Sequence, residues 1–467
     1  MKEYCGVVGI HGHKDAARLA YLALYALQHR GEESAGIVSY DYKKVHLHKG
    51  MGLVGSVFNE ENLKKLKGPV AIGHVRYSTT GSSITKNVQP LLINHKKGFI
   101  AVAHNGNLTN SVELSNELED SGSILQTTMD SELIVHYLVK DHKNNYREKI
   151  APMFSKLEGA YSFVLLINDA IYAMRDPMGF RPLCLGRIDN SYVVASETCA
   201  FDMIGAAYIR DVEPGEVVII DKNGLTSLKA PGPSIKHAFC IFEYIYFSRP
   251  DSNIFTKSVY LARKNLGRAL AKEHPAAADV VMPIPDSGNY AALGYAESSG
   301  IPLEMAYVRN HYIGRTFIQP SQLIRDFKVR VKLNPIRDVL KDRRVVIVED
   351  SIVRGTTSRS RVRAIREAGA TEIHMRVSCP PLISPCFYGI DFPTKKELIA
   401  SNHTIEEIRQ FIGVDSLKYL SLEGMLNSMM LAKEEFCTAC FTGNYPTKIC
   451  KPPSKKALEQ THCQGLT

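Results

Sequence analysis

No uninterrupted apolar run in the 467-residue chain approaches the roughly 20 residues that a helix needs to cross a bilayer. Met1 to Tyr4 is too short and too polar for a secretory signal, so the expected location is the cytoplasm, with no membrane partner. There is no GxxxxGK loop followed by Ser or Thr, which counts against an ATP-driven reaction, and there is no internal repeat. Ten cysteines in a reducing compartment do not make a disulfide scaffold; they are left as nucleophiles, metal ligands or core filler. Charge is not one-sided either. The net +9 comes from 57 basic against 48 acidic residues, which suits nucleic acid or a small polyanionic substrate without choosing between them.

What is present is a globular composition, 45% hydrophobic and 22% charged, in a chain long enough for about two or three domains. The first half carries many short segments rich in β-branched and aromatic residues, among them GVVGIHG, PVAIGHV, GFIAVAHNG and YSFVLLIND, bounded by Gly, Asp, Asn or Pro. With helical patterns at 15–27 and 130–141 they predict an α+β domain. A Pro/Gly cluster at 229–234 marks a linker. Beyond it, helix and strand alternate as in a parallel sheet. A third, helical region follows, with capping-box pairs Thr394/Glu397 and Thr404/Glu407 and an apolar face of Ile405, Ile408, Phe411 and Ile412. The end of the chain is expected to be a loosely held tail.

The most specific stretch is RRVVIVEDSIVRGTT, 343–357. Its apolar run predicts a strand buried on both faces, placing Glu349 and Asp350 at the crevice where open α/β sheets bind ligands. Ser351, Arg354, Gly355, Thr356 and Thr357 follow, in a hydroxyl-and-glycine loop entering a helix, a natural cradle for phosphate. This resembles the phosphoribosyl pyrophosphate (PRPP) motif of type I phosphoribosyltransferases. The resemblance implies that the loop holds the 5-phosphate and the acidic pair holds the ribose hydroxyls and Mg2+. A second strand ending in Asp286-Ser287-Gly288 is similar to that family's pyrophosphate loop, with Ser287 beside Glu349 and Asp350 as a Mg2+ ligand. The segment 309–332, with six Lys or Arg against the single acid Asp326, is expected to form a basic lid, Arg315 among its PRPP contacts.

Four segments of the first half bear on Cys5: Gln28-His29-Arg30-Gly31, 73–79 around Arg76, His104-Asn105-Gly106-Asn107-Leu108, and Met129-Asp130-Ser131-Glu132. No papain-like Cys/His/Asn spacing declares a base. If residues 1–4 were removed, the α-amino group of Cys5, with a pKa of about 7.7–8.0, would serve its own sulfur. Taken singly, Cys5 is equally a core thiol, Arg76 and Asp130 an ion pair, and Asn105-Gly106 a turn. Together they resemble the N-terminal-nucleophile glutaminase domain, an αββα sandwich, of class II glutamine amidotransferases. That resemblance implies Cys5 as nucleophile, Asn105 and Gly106 as oxyanion hole, and Arg76, Asp130 and Arg30 as the glutamine-binding set, with Arg30 ordering the site.

Cys437 and Cys440 form a CxxC, and Cys240 and Cys386 lie far off in similar aromatic surroundings. Four thiolates suit zinc or a 4Fe-4S cluster, the spacing does not match the two close pairs of a zinc ribbon, and Cys379 is a rival for Cys386. A glutaminase half, a PRPP half and four such cysteines resemble the glutamine PRPP amidotransferases, in the bacterial form with a cluster and a propeptide. The organisation implied is propeptide 1–4, glutaminase domain 5–234, phosphoribosyltransferase domain with cluster ligands and helical extension 235–446, and tail 447–467. Also implied are one Mg2+ and one cluster per subunit, L-glutamine and PRPP as substrates, ammonia passed between the sites, purine nucleotides as inhibitors, and a homotetramer. The family usually has two aspartates where this chain has Glu349-Asp350. Glucosamine-6-phosphate and asparagine synthases share the glutaminase half but need a different second half. A PRPP-sensing DNA-binding regulator would need none of Cys5, Arg76 and Asp130, and no stable nucleic-acid partner is expected.

Overall fold

The computed structural model describes residues 5–77, 84–140, 145–231, 236–309, 333–392 and 394–449. The expected propeptide, Arg315 with nearly all of the basic segment, and the tail beyond 449 lie outside the described residues.

Two antiparallel sheets build the first half. In the seven-stranded sheet, Gly6–His11 lies between Val70–Arg76 and Ser191–Ala195. Gly6 pairs with Val75, so the next residues outward, Cys5 and Arg76, meet at one end of the sheet. In the six-stranded sheet, Gly98–Leu108 pairs along its length with Gly159–Ile167.

Strand periodicity explains the stacking. Phe99, Ala101 and Ala103 enter the core between the sheets, while Ile100 and Val102 face the opposite way. Helices Ser111–Asp120, Ser131–Lys140 and Tyr146–Met153 cover that outer face. Ala16–Ala26 and Cys199–Ile204 cover the other sheet. The result is the expected αββα sandwich, and it accounts for strands that read as continuous apolar runs: both faces are buried.

The last strand of the first half, Gly224–Lys229, ends at the predicted linker. In the second half, Val280–Pro283, Arg344–Glu349, Glu372–Val377 and Ser416–Tyr419 form a parallel sheet in that order. Val345 to Val348 are wholly buried, as their composition requires. The C-terminal region is not purely helical, because Ser416–Tyr419 extends this sheet. Its amphipathic helix is narrower than predicted: in Ile405–Ile412, Ile408 and Ile412 are buried, but Ile405 and Phe411 are exposed. Both capping boxes form, although Thr394/Glu397 closes only a 3-10 turn.

The halves touch closely. Phe180 stacks on Tyr388 with ring centroids 4.2 Å apart, and Asn107 donates from Nδ2 to the Phe387 carbonyl at 2.9 Å.

Candidate active sites

Cys5 is buried, and its Sγ lies 3.5 Å from the Tyr77 carbonyl. Burial pushes its thiol up to about 11, against the pull of the Tyr77 hydrogen bond and of Arg76. Arg76 and Asp130 both lie within electrostatic reach of the sulfur and of each other. Asp130 accepts from the Leu108 N–H at 2.9 Å and faces His104 Nδ1 at 3.2 Å. Burial would raise its carboxyl, but His104 and the Leu108 and Ser131 N–H groups outweigh that and hold it below the usual carboxylate range. The carboxylate is therefore ready for a cation.

Asn105 is fully buried, and neither its Oδ1 nor its Nδ2 has a hydrogen-bond partner in the structure. A native interior rarely leaves an amide unsatisfied without a function for it. Gly106 adopts φ +147°, and a Cβ there would stand 2.0 Å from the Ala160 carbonyl oxygen, so only glycine fits. The unpartnered amide and the glycine thus sit side by side near the end of strand Gly98–Leu108.

Arg30 is engaged entirely by protein groups. Its side chain is wholly buried, donating to the Cys5 carbonyl at 3.0 Å and to both oxygens of Glu243 at 2.7 and 3.1 Å, and it is paired with Glu197. A guanidinium so engaged holds the backbone of Cys5. The sequence reading also missed its carboxylate partners and Arg181, which come from distant segments with no local motif.

In the second half, a cavity of about 1610 Å³ is lined by Asp286, Ser287, Glu349, Asp350, Gly355 and Thr356, and it extends to His29 and Glu32 of the first half. Ser287 and Ser351 donate from Oγ to opposite oxygens of Asp350. Glu349 pairs with Arg361 at 2.6 Å, yet its Oε2 is buried without a partner. Burial pushes its carboxyl up to about 7, with Arg361 opposing and Asp350 adding to the rise. Gly355, at φ +71°, turns the chain into helix Thr356–Glu367, so first-turn N–H groups and two threonines edge the cavity. Gly288 is needed for close packing, since a Cβ there would lie 2.5 Å from the Val348 carbonyl oxygen.

Two of the predicted PRPP side chains are paired at the cavity itself. Arg354 meets Glu397 at 2.7 Å and Asp286 is paired with Arg309, all four lining the cavity.

The four expected thiols lie within electrostatic reach of one another. Cys240 lies opposite Cys437 on adjacent parallel strands, and the Cys440 carbonyl accepts from Ile383 and Ser384, just before Cys386. Burial pushes all four up, Cys240 to about 11, and the other three thiols raise Cys440 further. Cys379 donates to the Pro380 carbonyl and lies near Asp350. Among the described residues, no three His, Cys, Asp or Glu converge as they would on a single metal ion.

A glutaminase-type sandwich joined to a parallel sheet with a phosphate-cradling loop defines a glutamine amidotransferase fused to a phosphoribosyltransferase. Comparison with known proteins agrees. Residues 74–203 match the family model described as a glutamine amidotransferase domain. The amidophosphoribosyltransferase of Bacillus subtilis strain 168 is 51% identical over 454 residues, covering 96% of this chain and 95% of that one. Amidophosphoribosyltransferase 1, chloroplastic, of Arabidopsis thaliana is 52% identical over 449 residues, covering 96% of this chain and 79% of its own. The structure of the B. subtilis glutamine PRPP amidotransferase complexed with ADP and GMP superposes with a TM-score of 0.92 at 49% identity, covering 97% of this chain and all of that one. The chain belongs to the amidophosphoribosyltransferase family.

Proposed function

We propose that Cys5 Sγ attacks the side-chain amide carbon of glutamine, that the C–N bond breaks to release ammonia and leave a thioester, and that water then frees glutamate. Ammonia attacks C1 of PRPP as pyrophosphate departs, giving 5-phosphoribosylamine, an entry step to purine synthesis. The unpartnered Asn105 amide beside Gly106 carries the first half of this reading, because the strand supplies a buried donor where negative charge develops. Arg76 takes the α-carboxylate as a planar bidentate donor, and Asp130 takes the α-ammonium. Removal of residues 1–4 would give Cys5 an α-amine as its base, which a thiol held near 11 needs at neutral pH.

In the second half, Ser351 and the helix entrance at Gly355–Thr357 hold the 5-phosphate, the 286–288 loop holds pyrophosphate, and Asp350 orients the ribose. Ser287, Glu349 and Asp350 would hold Mg2+, and the unpartnered Glu349 Oε2 fits that donor set. When bound, the ion would neutralise charge on the departing pyrophosphate.

Cys240, Cys386, Cys437 and Cys440 would hold a 4Fe-4S cluster of structural role. The mutual electrostatic reach of the four thiols and the Cys240–Cys437 pairing support that reading, and Cys379, which also acts on Cys440, is the rival ligand. The B. subtilis relative, whose structure is complexed with ADP and GMP, supports purine nucleotides as ligands. We also assign a homotetramer and a cytoplasmic location; no described helix is long and apolar enough to cross a membrane.

The direct test is pyrophosphate release from PRPP by the purified protein with glutamine or with ammonia as donor. Release with both is expected; release with neither overturns the reading.

A further inference from the structure

Two glutamates and two arginines are enclosed between the halves, and their side chains have no solvent exposure. Arg30, Arg181 and Glu197 come from the first half, and Glu243 comes from the second. Glu243 accepts from Arg30 through both oxygens, from Arg181 at 3.2 Å and from Ser248 at 2.8 Å. Arg30 in turn donates to the Cys5 carbonyl at 3.0 Å. Arg181 donates to the Tyr388 carbonyl. A nucleophile's backbone is thus anchored, through one guanidinium, on a carboxylate supplied by the other domain.

The placement of Glu243 is also specific. It opens a π-helical turn, Glu243–Phe247, of the kind often found at functional sites. Tyr246, Phe247 and Ser248, which follow it, line the phosphoribosyl cavity. The quartet is charge-balanced, so neutralising one member strands its partners in a dry interior. Glu197, the other acid, is held by Ser252 at 2.6 Å and by the Arg249 N–H at 2.9 Å, also from the second half. With those ties it remains in place when Glu243 changes, and Arg30 is drawn toward it.

We propose that Glu243 is a positioning residue for glutamine hydrolysis: by fixing Arg30 it sets the position of Cys5 relative to the oxyanion donors, although it touches neither glutamine nor PRPP. The inference rests on the reading of Cys5 as nucleophile. Glu243 lies next to an aromatic run whose evident business is packing, and its contribution to the other site is visible only in three dimensions.

The test compares wild type with Glu243→Gln, which keeps the shape and removes the charge, and Glu243→Asp, which keeps the charge and withdraws it from Arg30. Protein purified without oxygen and shown by intact mass to lack residues 1–4 is assayed for glutamine- and ammonia-dependent pyrophosphate release, with separate kcat and KM for glutamine. In both variants the glutamine kcat is expected to fall about tenfold or more, with glutamine KM and the ammonia-dependent rate within about twofold of wild type. A glutamine kcat within about twofold of wild type overturns the proposal. Loss of ammonia-dependent activity in both variants also overturns it, because the residue then holds the fold and not the thiol. A wild type that uses ammonia but not glutamine would instead defeat the reading of Cys5.

Discussion

Gly389 of the second half packs against Gly106 of the first: a Cβ on Gly389 would stand 3.0 Å from the Gly106 carbonyl carbon, at a φ of +100° that disfavours any side chain. The loop after Cys386 therefore buttresses the strand that carries the proposed oxyanion donors. Gly389→Ala should push on that strand and lower glutamine-dependent turnover by about tenfold or more while ammonia-dependent turnover changes by less than about threefold, as parallel kinetic assays would show. Equal loss of both activities would refute the buttress.

The raised Cys5 thiol predicts a pH dependence. With its pKa at about 11, the thiolate fraction is small at neutral pH and grows with each unit of rising pH. If residues 1–4 are still attached, alkylation of Cys5 by iodoacetamide, followed by peptide mass spectrometry, should accelerate about tenfold per pH unit from 7 to 9. If they are removed, glutamine hydrolysis should instead rise to a plateau above about pH 8, where the α-amine has lost its proton. Alkylation of the unprocessed chain that is already fast and flat at pH 7 would contradict the burial argument.

Asp350, held by Ser287 and Ser351 at the end of its strand, cannot be replaced by an uncharged isostere without losing the acidic pair. Asp350→Asn should reduce synthesis by about a hundredfold or more with either nitrogen donor and raise the Mg2+ concentration needed for half-maximal rate. Hydrolysis of glutamine to glutamate should persist, which separates the two halves.

The gathered thiols predict colour. Protein purified without oxygen should absorb broadly in the visible, and Cys437→Ser should abolish the absorbance and lower the melting temperature, since Phe436–Cys437 is paired with Phe239–Cys240. A colourless wild type containing stoichiometric zinc would replace the cluster.

The parts of this architecture that were legible in the sequence are those encoded locally. The strand at 344–349 is buried on both faces and is apolar for that reason, and the Gly355 turn is fixed by a left-handed φ that its residue type announces. Cys5, Asn105, Gly106 and Asp130 were singled out because their four segments taken together resemble a glutaminase domain, and Cys5 and Asp130 do lie within electrostatic reach of each other. Contacts between distant segments were not legible. Arg30 and Glu243 are 213 residues apart, and nothing near either one names the other. Arg354 was read as a phosphate ligand from its loop, and the pairing with Glu397 at the same cavity, 43 residues on, was not legible there. The strand Ser416–Tyr419 escaped because four residues between helices carry too little periodicity to read.

The central claim is that one sulfur supplies nitrogen to a reaction carried out in the other half of the chain. Cys5→Ser, assayed with PRPP and Mg2+ for pyrophosphate release, tests it most directly. Glutamine-dependent release should disappear while ammonia-dependent release stays within about twofold of wild type. Undiminished use of glutamine by the serine variant would contradict the account.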